Sequence, residues 1–158
     1  MPFPLDFIPD LSYKTGGRRF GAPRPSTERP WRIHAGCDLI APTGANVYAV
    51  ADGYVTLGPY RMDSHAAVFA LEVHHGLFKV RYGEVSQDTL VRTGSVVEAG
   101  QHIAYVGDWN MLHFELYLNS EFGPLYQPNR RPYSRRGDVV DPSRYLDMWA
   151  AIGLPPLS

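Results

Sequence analysis

Between residues 33 and 118 apolar and polar positions alternate in short runs: VYAVA (47–51), YVTL (54–57), AVFALEV (67–73), FKVRY (78–82), HIAYV (102–106) and MLHFELYL (111–118). Gly44, Asp52-Gly53, His75-Gly76, Glu98-Ala99-Gly100 and Gly107-Asp108 punctuate them. Period-two runs separated by tight turn signals predict short antiparallel strands, arranged as a sandwich. Residues 1–32 are rich in proline and lack periodicity, so they read as an irregular N-terminal wrap. Residues 119–140, with Gly123, Pro124, Pro128, Pro132 and Gly137, read as a loop. A helix is predicted over 141–153, with Asp141 as N-cap and Pro142 at the first helical position. Tyr145, Leu146, Trp149 and Ile152 form its apolar stripe, and Gly153 stops it. The expected architecture is one mainly β, antiparallel sandwich-like domain over 1–158.

Composition narrows the function classes. Hydrophobic residues make up 44% of the 158, enough for a real core. No apolar run is long enough to span a bilayer, so membrane insertion is not expected. The start, MPFPLDFIPDL, shows neither a basic opening nor a sustained apolar stretch, so no signal peptide is expected. Cys37 is the only cysteine, which excludes an internal disulfide. A net charge of −1 argues against nucleic acid as partner. Six of the 15 basic residues nevertheless fall between Lys14 and Arg32, and four between Arg130 and Arg136. These are either solvated loops or the flanks of a groove for an anionic ligand.

Candidate chemistry begins at IHAGCDL, where His34 and Asp38 stand four apart. That spacing alone is weak. On the strand MLHFELY, Leu112, Phe114 and Leu116 point to one face, and Met111, His113, Glu115 and Tyr117 to the other. The first is the natural core face, which leaves His113 on the opposite side beside Glu115. Two imidazoles and one carboxylate from separate strands make a three-ligand zinc set with a fourth position open.

The segments HAGCDLIAPTGANVYAVADGYV and MLHFELY resemble the lysostaphin/LytM-type zinc endopeptidases, which cut peptide cross-links in the bacterial cell wall. The likeness runs in order over about residues 20–118 and includes the terminal DPSRYL. It implies the antiparallel β architecture of the duplicated hybrid motif and one zinc ion held by His34, Asp38 and His113. It also implies a variant lacking both of the family's usual catalytic histidines: Met111 stands where the first of a His-x-His pair belongs, and Glu84, in RYGEV, where the histidine of a Tyr-x-His-Leu segment belongs. Glu84 is then expected to be the general base, with a surface role or a fourth zinc ligand as alternatives. Tyr82 is a candidate either for hydrogen-bond donation to the oxyanion or for packing, and His65 is a candidate substrate contact. Arg18 and Arg19 are candidates for gripping peptide carboxylates.

The function this implies is zinc-dependent cleavage of peptidoglycan peptides. Its rivals are an inactive zinc-holding wall-binding or regulatory module and a polyanion-binding protein. Without a signal peptide, the expected site of action is the periplasm or cell wall of target bacteria, reached through a secretion machine. That route implies a carrier and an immunity protein as partners.

Overall fold

A computed structural model describes residues 2–155. Their strands are β1 (Cys37–Ile40), β2 (Asn46–Tyr48), β3 (Gly53–Arg61), β4 (Phe69–His74), β5 (Lys79–Val85), β6 (Val96–Val97), β7 (His102–Tyr105), β8 (Met111–Tyr117) and β9 (Val139–Val140). A 3-10 turn at Gly16–Arg18 precedes them, and the helix α1 (Ser143–Ile152) follows. The main sheet runs β1-β8-β5-β4-β3-β6, with β9 also on β8, and β2 pairs with β7 in a second, two-stranded sheet. Each pairing is antiparallel. This is the β-rich, sandwich-like architecture with one short C-terminal helix that the alternation predicts.

The core forms where that alternation points inward. Leu39, Val80, Tyr82, Leu112, Phe114 and Leu116 from β1, β5 and β8 meet Val47 and Ile103 from the small sheet, all at most 1% exposed. Trp149 of α1 closes the layer against Phe78 and Phe114, with ring centroids 6.0 and 5.9 Å away. Burying an aromatic of this size contributes about 1.5–3 kcal/mol. Of the predicted helical stripe only Leu146 and Trp149 are buried; Ile152 is 67% exposed. The helix begins at Ser143, with Pro142 at the N-cap, while Asp141 Oδ1 still accepts the Ser143 amide at 2.9 Å. The described residues of the N-terminal wrap carry no strand, but Phe3 and Leu5 are fully buried in the core, and the Pro4 carbonyl accepts the Tyr48 amide. No helix among the described residues is long and apolar enough to cross a membrane.

Two backbone features align the strands that bear the polar cluster. Gly36, just before β1, lies so close to the Phe114 carbonyl of β8 that a Cβ there would collide with it. Only glycine allows this approach. Between Phe69↔Val85 and Leu71↔Tyr82, β5 carries two residues, Gly83 and Glu84, opposite the single Ala70 of β4. That is a β-bulge, and Glu84 adopts φ 63° within it.

Candidate metal centre

β1 and β8 pair with Asp38 directly opposite His113. His34, three residues before β1, is clamped by the N-terminal wrap: its amide donates to the Ala22 carbonyl, and its own carbonyl accepts the Gly21 amide, both at 2.8 Å. Three side-chain atoms converge as a result. His34 Nε2 lies 3.1 Å from Asp38 Oδ1 and 3.2 Å from His113 Nδ1, and His113 Nδ1 lies 3.0 Å from Asp38 Oδ1. All three residues are 5–6% exposed.

The outer ring nitrogens decide what that triangle can do. His34 Nδ1–H donates to the Arg19 carbonyl at 2.8 Å, and His113 Nε2–H donates to Glu115 Oε1 at 2.7 Å. Each bond fixes a tautomer whose other nitrogen directs its lone pair at the shared point. With zinc bonds of about 2.0–2.1 Å, tetrahedral ligand atoms sit about 3.3–3.4 Å apart, close to the edges of this triangle. The donor set, its spacing and the Arg19 carbonyl and Glu115 carboxylate that accept the outer ring N–H groups all fit zinc. The described residues hold one group of His, Cys, Asp and Glu close enough to share an ion, and it is His34, Asp38 and His113. Glu84 is not part of it.

Behind the triangle lies a buried charge network that the sequence does not announce. Glu115, fully buried, accepts from Arg81 Nη1 at 3.1 Å, from Arg135 Nε at 2.9 Å and from the Tyr117 hydroxyl. Arg81 Nε in turn donates to the Tyr60 hydroxyl at 2.7 Å, which donates to Glu72 at 2.6 Å. Burial alone would raise the Glu115 carboxyl, but the charges of Arg135 and Arg81 outweigh it and hold Glu115 well below the usual range. Burial likewise opposes ionisation of Asp38, yet its hydrogen bonds with His113 and His34 keep its carboxyl depressed. Burial would lower His113; hydrogen bonds to Asp38 and Glu115 instead raise it to about 9.

The triangle opens into a cleft of about 690 Å³ whose walls include Glu84, Met62, Trp109 and Tyr126. Glu84 Oε2 is buried with no hydrogen-bond partner among the described residues. Burial raises its carboxyl to about 7, opposed in part by the nearby positive His113. The bulge explains how Glu84 arrives there. In an unbroken strand Tyr82 and Glu84 would share a face; the extra residue separates them. Tyr82 therefore stays in the core, where its hydroxyl accepts the Val50 amide at 3.0 Å and pairs with His75 Nε2 at 2.9 Å. It does not reach the cleft. His65 is exposed in the loop after β3, where its amide donates to Asp63 Oδ1; Met62 and Asp63 line the cleft, but His65 does not. Arg18 and Arg19 turn their guanidinium groups to the Ser12 and Gly16 carbonyls. The arginines on the cleft wall are Arg24, Arg29, Arg32, Arg61, Arg81 and Arg135. Cys37 is fully buried, and burial raises its thiol to about 11.

An antiparallel β scaffold presenting a His/Asp/His triangle at the floor of a cleft defines a candidate metallohydrolase. The chain belongs to Peptidase family M23, whose profile matches residues 32–124. It is 33% identical over 92 residues to the peptidoglycan DD-endopeptidase ShyB of Vibrio cholerae serotype O1, a match covering 55% of this chain and 21% of that protein. The chain thus spans about a fifth of that curated relative's length. The crystal structure of CbpA from L. salivarius REN superposes with a TM-score of 0.64 at 18% identity, covering 96% of this chain and 98% of the other. The catalytic domain of the antimicrobial peptidase lysostaphin from Staphylococcus simulans gives 0.58 at 20% identity, over 82% and 89%. At these identities the likeness to solved structures establishes the fold.

One expectation is corrected here. The chain does not stand as a variant lacking both catalytic histidines of the family: two histidines, His34 and His113, meet at the centre of the cleft and complete a metal-binding triad with Asp38. The β1–β8 register and the wrap around His34 bring them together from positions 79 residues apart.

Proposed function

We propose that this chain is a zinc-dependent endopeptidase that cuts the peptides of bacterial peptidoglycan. The observation that carries the proposal is the buried His34/Asp38/His113 triangle opening onto a cleft that also presents an unpartnered carboxylate, Glu84. A zinc ion in such a site polarises a carbonyl and lowers the pKa of water. His34, Asp38 and His113 are the residues that would hold it. The cleft, whose walls run from Asp38 of β1 past His113 of β8 and Glu84 of β5 to Tyr60 of β3, accepts an extended peptide across the sheet. Glu84 Oε2 takes a proton from the attacking water and then delivers it to the departing amine nitrogen. Burial raises this carboxyl to about 7 in the metal-free protein; a zinc ion beside it would lower that value and favour the ionised form that the first transfer needs. A residue with positive φ stores backbone strain of about 1–2 kcal/mol, a feature found at sites where the side chain must be aimed.

The activity lies outside the target cell's cytoplasm, on the wall itself. A secretion-machine carrier would deliver it there, and an immunity protein covering this cleft would protect the producer. The decisive assay loads the protein with zinc, adds purified peptidoglycan and counts new amine termini. Wild type releases them; Glu84→Gln keeps its zinc and slows by about 10²–10⁴-fold. Wild type that binds wall without releasing amines would leave a binding module. Glu84→Gln at full rate would remove Glu84 from the chemistry.

A further inference from the structure

The cleft holds more positive charge than its acids balance. Six arginines line it, against Asp38, Asp63 and Glu84. Five of the six have partners. Arg81 and Arg135 share Glu115. Arg24 meets Asp38 Oδ2 at 3.3 Å, Arg29 Nε donates to the Pro128 carbonyl, and Arg61 donates to the Ala66 carbonyl. Arg32 is the exception: its Nε is buried with no hydrogen-bond partner among the described residues. Its backbone is pinned by the Arg24 amide on its carbonyl and by its own amide on Arg29. Its charged neighbours are Arg135 and Arg24, of like sign, and Glu115, whose carboxylate Arg81 and Arg135 already share. A half-buried guanidinium whose buried Nε has no acceptor of its own is unfavourable unless an anion completes it.

We infer that Arg32 forms the heart of an anion subsite beside the His34/Asp38/His113 triangle, built to take a carboxylate of the bound peptide. The inference rests on the peptidase reading and names the feature of the substrate that the cleft selects: a free carboxylate close to the scissile bond. Arg32 lies two residues before His34, on the segment that the wrap fixes by the Pro23↔Ile33 bridge, so the carboxylate would be registered against the metal-binding residues. Trp109 and Tyr126, 43% and 52% exposed, supply apolar walls on the same cleft. A guanidinium pairs with a carboxylate through two parallel N–H donors, which an ammonium or an amide cannot reproduce.

The test uses cross-linked peptide dimers released from purified peptidoglycan, either untreated or with their carboxylates converted to methylamides. Binding to zinc-loaded protein is measured by calorimetry in the Glu84→Gln background, so that the peptides are not consumed. Untreated dimers are expected to bind about 10- to 100-fold more tightly than methylamidated ones. The preference should fall below about twofold in Arg32→Gln and be partly restored in Arg32→Lys, with thermal melts verifying that each variant is folded. Equal binding of the two probes, or a preference that survives Arg32→Gln, overturns the subsite. The two readings fail separately: amine release by wild type with no Arg32-dependent preference leaves the peptidase and removes the subsite, whereas an Arg32-dependent preference without amine release keeps the subsite and removes the peptidase.

Discussion

Glu115→Gln removes one charge and almost no volume from the point where the metal-binding triangle meets the buried network. In the wild type, Glu115 compensates Arg81 and Arg135, whose side chains are 7% and 6% exposed, while accepting His113 Nε2–H. A glutamine can still accept one of these bonds, but its amide nitrogen faces donors. Breaking a buried ion pair on one side costs about 3–5 kcal/mol. In a chain of this length a loss of about 3 kcal/mol lowers the melting temperature by about 6–12 °C. Losing the carboxylate behind a metal-binding histidine weakens metal affinity by about 10–100-fold, equivalent to about 1.4–2.7 kcal/mol. Thermal melts with and without zinc give the first quantity, and competition against a chelator of known affinity gives the second. Both effects should appear together, because one carboxylate serves both. A Glu115→Gln protein that melts within 2 °C of wild type and binds zinc within about twofold would refute the coupling of network to metal site.

Two further outcomes are expected. In zinc-free protein, His113 titrates near 9 in the folded state against an ordinary 6.5, and Glu84 near 7 against 4.5. Both values are raised, so each contribution is complete below the unfolded value and lost as pH rises through the folded one; burial lowers His75 to about 4, an opposing contribution gained as pH rises to about 6.5, so stability should fall chiefly between pH 6.5 and 9, with His113 accounting for at most about 3 kcal/mol. Urea unfolding at pH 5.5, 7 and 9 in the presence of chelator measures this, and a flat profile contradicts it; added zinc should level the curve by replacing the proton on His113. Gly36→Ala forces a Cβ against the Phe114 carbonyl and shifts the β1–β8 register that sets Asp38 opposite His113. A loss of about 2 kcal/mol and at least tenfold in zinc affinity is expected, and wild-type zinc binding in the chelator competition would count against it.

Much of this was legible in the sequence because it depends on local periodicity. In MLHFELY the alternation alone sets Leu112, Phe114 and Leu116 inward and His113 beside Glu115, as the structure has it. β1, β6 and β9 escaped because four- and two-residue strands carry too little pattern, and β1 bears Cys37 and Asp38 where a longer apolar run would have marked it. Whether Tyr82 packs or faces the cleft was undecided from the sequence for a different reason. A bulge is a property of two strands together, and it turns Glu84 away from the face that Tyr82 keeps. The Glu115–Arg81–Arg135 network was hidden for the same cause: Glu115 sits two residues from His113, but its partners lie 34 and 20 residues away and meet it only once the strands pair. Arg18 and Arg19 drew attention by standing near His34 in sequence, whereas the cleft takes Arg24, Arg29 and Arg32 from the turn that follows.

Diffraction at the zinc absorption edge, from crystals grown with one equivalent of zinc, addresses the central claim most directly. The expected map has one strong anomalous peak about 2.0–2.2 Å from His34 Nε2, Asp38 Oδ1 and His113 Nδ1, with its fourth position facing the cleft. A peak elsewhere, or an ion closed off by a fourth protein side chain, would contradict it.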